Sequence, residues 1–260
     1  GAGEVRWAEW SGRWVTVAGR WAIEGLKRVA GDAGLSVGRA AMVDGAMAGR
    51  DALVLMRTGG GKSVCDQIPS LVRPGVGVVV SPLIALMSDQ VAALRQLGVR
   101  AAYLNSTLDY QEASDVEAQL RAGQLDLLYL APERLLMPRT LELLAELRLA
   151  LIAIDEAHCI SQWGHSFRAE YLSLGALREV FPGVPIMALT ATADRSTRDD
   201  ISGKLFGGDV DVFVSGFDRP NITLTVAEKS RAGAEIEAFV KARAGQSGIV
   251  YRISRKKVED

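Results

Sequence analysis

Cysteine is nearly absent: Cys65 and Cys159 are the only two in 260 residues, and they lie far apart. Two thiols make no disulfide framework and are too few for a zinc site. The sequence therefore predicts a reducing, cytoplasmic setting and no zinc centre in this chain. Long apolar runs are also missing. No stretch approaches the roughly 20 residues of a membrane helix, and no signal-peptide pattern opens the chain, so no membrane partner is expected. An excess of basic residues is lacking too. Thirty Lys and Arg face 31 Asp and Glu, for a net charge of −1. That balance excludes a broadly basic nucleic-acid coat but leaves room for a local basic groove. There is no internal repeat and no low-complexity tract. What remains, with 48% hydrophobic and 23% charged residues, is the composition of a globular protein: one large domain, or one domain and part of another. Arginine far outnumbers lysine, which reads as a GC-rich, bacterial coding sequence.

Glycine is plentiful in one informative place. The stretch Ala52-Leu53-Val54-Leu55-Met56-Arg57-Thr58-Gly59-Gly60-Gly61-Lys62-Ser63 runs from an apolar strand through a glycine cluster into a helix start. Glycines leave backbone N–H groups bare to wrap phosphate oxygens, and a helix N-terminus adds positive partial charge. Thr58, Gly59, Gly60, Gly61, Lys62 and Ser63 are the candidate nucleotide-binding residues. Lys62 is expected to reach the β- and γ-phosphates of ATP, and Ser63 to place its hydroxyl on Mg²⁺. The alternative is a plain glycine-rich turn.

Apolar runs alternate with helical patterns along the chain. Strands are expected near 52–56, 76–80, 99–104, 125–130, 149–154, 185–189 and 211–214. Helices are expected over 37–48, 62–71, 81–96, 107–122, 138–147 and 194–205, with Ser81 as cap and Pro82 as first residue of the third. This alternation predicts an α/β fold with a mainly parallel sheet, helices on both faces and ligands at the carboxyl ends of the strands. Residues 1–33 read as a divergent extension holding Trp7, Trp10, Trp14 and Trp21 at spacings that fit neither a clean strand nor a clean helix face. A packed extension is favoured there over a base-stacking platform. A helix near 234–244 and a strand from 248 to 251 suggest that another domain begins before Asp260.

Asp155-Glu156 follows the apolar run 149–154, as a phosphate loop requires. Asp155 is expected to hold Mg²⁺, and Glu156 to orient and deprotonate the attacking water. His158, a structural residue in the simplest reading, completes Asp155-Glu156-Ala157-His158 and is expected to sit near the γ-phosphate.

At this point the sequence resembles the RecQ family of superfamily 2 DNA helicases. The resemblance is carried by the phosphate loop in its looser helicase form, with Met56 where the strict pattern has glycine. It is also carried by Ser81-Pro82-Leu83-Ile84-Ala85-Leu86-Met87-Ser88-Asp89-Gln90, Tyr129-Leu130-Ala131-Pro132-Glu133-Arg134 and Asp155-Glu156-Ala157-His158-Cys159-Ile160-Ser161-Gln162-Trp163-Gly164-His165. Ala188-Leu189-Thr190-Ala191-Thr192-Ala193 and Phe217-Asp218-Arg219-Pro220-Asn221 complete the set. The resemblance implies a RecA-like P-loop NTPase domain over residues 34–216, a connector over 217–245 and the start of a truncated second RecA-like domain over 246–260. It implies an ATP-driven 3′→5′ DNA helicase that acts on single-stranded or forked DNA at the bacterial nucleoid, in DNA repair and recombination. Lys62, Asp155, Glu156 and His158 would be catalytic. Trp163, Phe167 and Arg168 would sense single-stranded DNA, Thr190 and Thr192 would relay between nucleotide and DNA, and Ser81 and Arg134 would touch the DNA track.

Several positions depart from the family. Where it carries an aromatic–Arg–Pro–Gly–Gln stretch that contacts adenine, this chain has Leu35-Ser36-Val37-Gly38-Arg39. Arg57 replaces a proline, Asp66 an aromatic residue and Ala169 a proline. Asp66 is expected to place a like charge near bound phosphates. The missing second domain would supply the arginine that completes hydrolysis, so this chain alone is expected to turn over weakly and not to unwind. The rival readings are a catalytically impaired, nucleotide-dependent nucleic-acid-binding module and an RNA helicase of the same superfamily.

Overall fold

The computed structural model describes residues 8–10, 13–15, 37–57, 59–161, 167–215, 222–223, 225–226 and 232–251. The chain divides into two compact units, Gly1–Phe217 and Asp218–Asp260.

The first unit is built on a seven-stranded sheet. Its strands are β3 (Ala52–Leu55), β4 (Val76–Val80), β5 (Ala101–Leu104), β6 (Leu127–Leu130), β7 (Leu149–Ile154), β8 (Ile186–Thr190) and β9 (Asp211–Val214), in the order β5-β6-β4-β7-β8-β3-β9. Every adjacent pair is parallel. Parallel strands need crossovers, and covering helices bury both faces, which explains why β3, β4, β6, β7 and β8 are buried along their whole length. At the edge, β9 alternates half-buried and exposed residues.

Alternate side chains of the strands feed two cores. On one face, Val54, Val79, Tyr129, Leu151 and Met187 pack with α1 (Val37–Met47), α2 (Lys62–Val72) and α3 (Ile84–Gln96). On the other, Leu53, Val78, Leu128, Ile152 and Ala188 pack with α4 (Tyr110–Arg121), α5 (Pro132–Leu135), α6 (Pro138–Ala145), α7 (Ala169–Ser173), α8 (Leu177–Val180) and α9 (Arg195–Phe206). This is the α/β architecture with a parallel sheet that the alternating pattern predicts, in the RecA-like form that the family resemblance implies.

Local chemistry moves several boundaries. Helix α3 starts at Ile84, not at Pro82, with Leu83 at the cap position and no side-chain cap. Ser81 Oγ only reaches Leu83 N at 3.5 Å, and the first main-chain bond of the helix is Met87 N to Leu83 O. Helix α4 starts after Asp109, not at Thr107. Asp109 and Glu112 form a reciprocal capping box, while the Thr107 hydroxyl is drawn back to Asn105 Oδ1. Near the N-terminus, β1 (Ala8–Trp10) and β2 (Arg13–Val15) form an antiparallel pair, so Trp10 and Trp14 lie in strands although their spacing suggested none. Trp7 and Trp21 lie outside the described residues.

In the second unit, α10 (Ala232–Lys241) carries a Glu237–Lys241 ion pair at 2.6 Å, and the Arg243 guanidinium lies 3.6 Å over the Phe239 ring. The expected strand at 248–251 does not form: these residues are exposed, and a strand needs a ladder partner for its N–H and C=O groups.

Candidate nucleotide site

The strand order brings three sequence motifs side by side, because β7, β8 and β3 are neighbours and all point the same way. The residues that follow each strand therefore meet at one edge of the sheet.

After β3 the chain turns through Met56 and Arg57 into the glycines. Met56 N donates to Thr190 O at 3.0 Å, tying the loop's start to the end of β8, and Gly60 N donates to Arg57 O at 3.0 Å. Gly61 adopts φ 81° and ψ 34° at the N-cap of α2, with no side chain capping the helix. A left-handed cap favours glycine. Gly60 is required for a different reason: a Cβ there would lie 2.7 Å from Met56 Cγ and 2.9 Å from Arg57 O. Lys62 and Ser63 follow in the first turn of α2, both half-buried. Thr58 lies outside the described residues.

After β7 comes Asp155, whose N–H donates to Val80 O at 2.8 Å. The peptide plane that joins Asp155 to Glu156 is held at both ends. Its N–H donates to Asp155 Oδ1 at 2.9 Å, and its carbonyl accepts from the Tyr171 hydroxyl at 2.9 Å. Glu156 then takes φ 49°, the only left-handed non-glycine among the described residues. That conformation costs a side-chain-bearing residue about 1–2 kcal/mol, and such strain concentrates at functional positions.

Burial and the adjacent Glu156 charge raise the Asp155 carboxyl above its ordinary value, while the Glu156 N–H and Lys62 pull it down. Glu156 shifts the other way, lowered first by its hydrogen bond with His158 and further by Lys62, against burial. The loop lysine thus acts on both carboxylates. His158 Nδ1 lies 3.2 Å from Glu156 Oε2 and 3.0 Å from Thr190 Oγ1. Thr190 spends its own proton on Thr192 O at 3.0 Å. With that proton committed to Thr192 O and a carboxylate on its other side, Nδ1 of His158 is the donor to both Thr190 and Glu156. Glu156, His158, Thr190 and Thr192 form one connected chain.

The remaining expected residues lie elsewhere. Ser81 is buried at the end of β4, where it shapes the turn into α3 and does not face solvent. Arg134 sits in α5 with its guanidinium 3.0 Å from the buried Glu117 carboxylate, which also receives Arg139 at 2.6 Å. Phe167 and Arg168 are exposed, and Arg168 N donates to Cys159 O at 2.9 Å. Trp163 lies outside the described residues. Asp66 corrects an expectation. It is 3% exposed, and burial, followed by the Asp155 charge, pushes its carboxyl well above the ordinary range. Both causes work against the like charge that the sequence leads one to expect beside the phosphates.

Two contributors escaped the sequence reading, and a third, Arg39, stood there only as a departure from the family's adenine-contact stretch. Tyr171 is fully buried and holds the Asp155 carbonyl; its signal was one aromatic residue shortly after Arg168. Glu117 underlies Arg134, with no local signal on its polar helix. Arg39, in the first turn of α1, brings Nη1 to 3.0 Å from where a Gly61 Cβ would stand.

Among the described residues, no three acidic, histidine or cysteine side chains gather to hold a metal ion. The Ser63 hydroxyl and the Asp155 carboxylate are oxygen donors of the kind Mg²⁺ takes together with substrate phosphates. No helix among the described residues is long and apolar enough to cross a membrane.

Comparison with known proteins agrees with this geometry. The sequence profile of the DEAD/DEAH box helicase family matches residues 38–201. The ATP-dependent DNA helicase RecQ of Pasteurella multocida is 46% identical over 238 residues, covering 92% of this chain and 38% of the relative. The RecQ helicase of Bacillus subtilis is 43% identical over 206 residues, covering 79% of this chain and 35% of the relative. The chain thus spans well under half the length of these curated relatives. Among solved structures, the DUF1998 helicase MrfA superposes with a TM-score of 0.64 at 15% identity, over 92% of this chain and 39% of that one, a likeness of fold.

Proposed function

Because the chain belongs to the DEAD/DEAH box helicase family, we propose that it is the nucleotide-binding motor domain of a RecQ-type, ATP-dependent 3′→5′ DNA helicase. One observation carries this reading: Lys62 of the phosphate loop acts on both Asp155 and Glu156, and Glu156 is joined through His158 to Thr190 and Thr192. A nucleotide triphosphate seated on the loop would meet Lys62, Asp155 and Glu156, with His158, Thr190 and Thr192 linked behind Glu156.

In this reading the glycine loop and the start of α2 cradle the phosphates, and Lys62 contacts the β- and γ-phosphates. The Ser63 hydroxyl and Asp155 would hold Mg²⁺, which when bound neutralises phosphate charge. Glu156, kept ionised by His158 and Lys62, accepts a proton from the attacking water. The Nδ1–H of His158 passes the state of Glu156 to Thr190 and Thr192. Exposed Phe167 and Arg168, with Trp163, would stack on and pair with single-stranded DNA, whereas buried Ser81 and the Glu117-bound Arg134 would act by shaping the elements beside the strand. Residues 246–260 would open a second RecA-like domain that supplies the arginine needed for fast hydrolysis. The protein would act on nucleoid DNA in the cytoplasm.

A fluorescent, non-hydrolysable ATP analogue with Mg²⁺ tests the reading. Saturable binding that disappears in Lys62→Ala is the expected result; no binding by a folded sample would overturn it. Stimulation of ATPase activity by single-stranded DNA over RNA, in a chain that includes the second domain, separates it from an RNA helicase. The substitution at Arg39 favours a second reading, a nucleotide-dependent binding module without turnover, and binding without any stimulated hydrolysis would select it.

A further inference from the structure

We propose that Arg39 is a second phosphate-binding cation of the nucleotide site, so that the site selects the triphosphate tail and discriminates little between bases. The inference rests on the nucleotide reading above and names what that site recognises.

The geometry comes first. The Arg39 guanidinium lies across the last residue of the phosphate loop: from the position of a Gly61 Cβ, Nη1 is 3.0 Å away, Cζ 3.9 Å and Cδ 4.0 Å. Gly61 is where α2 begins, without a side-chain cap. The Arg39 guanidinium therefore lies at the end of α2 where its unpaired N–H groups begin and where Lys62 is the first residue. The Arg39 charge is felt inside the helix as well. It draws the buried Cys65 thiol downward, against burial and the nearby Asp66, which together push it up to about 12.

The chemistry selects the ligand atom. A guanidinium has five donors and no acceptor. The edge of adenine presents one donor and one acceptor, which a guanidinium cannot match, whereas the edge of guanine presents two acceptors, which it can. Two acceptors side by side are what a guanidinium binds, and phosphate oxygens present them in a fork that fits. Beside a phosphate loop, phosphate is the group within reach. A residue that reads phosphate is indifferent to the base attached to it.

Calorimetric titration with the non-hydrolysable triphosphate analogues of adenosine and guanosine, each with Mg²⁺, tests this in wild type, Arg39→Ala, Arg39→Lys and Arg39→Gln. The wild type is expected to bind the two analogues within about threefold of each other. Arg39→Ala should weaken both by about tenfold or more, the scale of one charge-assisted hydrogen bond, and Arg39→Lys should restore most of that loss. Arg39→Gln should weaken both alike, as Arg39→Ala does, and it carries the test if Arg39→Ala melts early. The inference is overturned if the wild type prefers either analogue by about tenfold or more, a guanosine preference placing Arg39 on the base. It is equally overturned if Arg39→Ala and Arg39→Gln leave both affinities unchanged. Wild-type protein that binds neither analogue would instead remove the nucleotide reading, and this inference with it.

Discussion

Replacing Tyr171 with phenylalanine tests how the catalytic turn is held. The ring is fully buried, and its hydroxyl donates to Asp155 O at 2.9 Å. Phenylalanine fills the same space less one oxygen, so almost no packing is lost. The cost is a buried carbonyl left without its donor, about 1–3 kcal/mol. For a folded unit of this size that corresponds to a melting temperature lower by about 2–4 °C per kcal/mol. Urea and thermal unfolding at neutral pH should give this loss with an unchanged denaturant slope, since the surface exposed on unfolding is the same. The released carbonyl also lets the Asp155–Glu156 peptide plane rotate, relaxing the left-handed Glu156 away from His158. Affinity for a non-hydrolysable ATP analogue should persist, because Tyr171 touches no part of the phosphate loop, while hydrolysis should fall. A stability change below about 0.3 kcal/mol would refute the reasoning, since the carbonyl would then have another donor.

Two further outcomes follow from buried charge. Asp66 holds its proton in the folded state to a higher pH than in the unfolded chain. Between those two values the folded state binds more protons, so stability contributed here is full below the unfolded carboxyl range and declines as pH rises through the folded value. Asp66→Asn should raise the urea midpoint at neutral pH and leave it unchanged near the low end of the carboxylate range; equal shifts at both would contradict a protonated Asp66. Glu117→Gln should cost about 1–2 kcal/mol in thermal unfolding. Nearly all of this comes from stranding the partly buried Arg134, because Arg139 is 60% exposed and its pair is worth little; an unchanged melt would mean that the cluster adds nothing.

Much of the fold was legible because each strand is a short apolar run bounded by turn residues, and parallel strands buried on both faces leave that mark. The phosphate loop and the Asp155-Glu156 pair were legible for a related reason: their spacing to the preceding strand is set by backbone geometry, which is local. What stayed hidden depends on distant neighbours. Nothing near Asp66 announces that its carboxyl is enclosed beside Asp155 and Tyr129. Nothing near Glu117 announces the arginines that gather on it. The misplaced start of α3 has another cause. Ser81-Pro82 has the composition of a helix start, but helical bonding begins two residues later, and a cap is defined by dihedral angles that composition does not fix.

The contact between Met56 and Gly60 bears on how this sequence is free to change through descent. Met56 stands where the strict phosphate-loop pattern has glycine, and its Cγ occupies the space a Gly60 side chain would need. If that were the whole conflict, a smaller residue at 56 would compensate, and the pair would drift together as a coupled couple. The carbonyl of Arg57 closes that route, because it stands 2.9 Å from the same point and belongs to the backbone. No second-site replacement removes a backbone atom. A smaller residue at position 56 therefore gains position 60 nothing, and it would also empty space in the core where Met56 is buried, so position 60 is an evolutionary dead end for every residue but glycine.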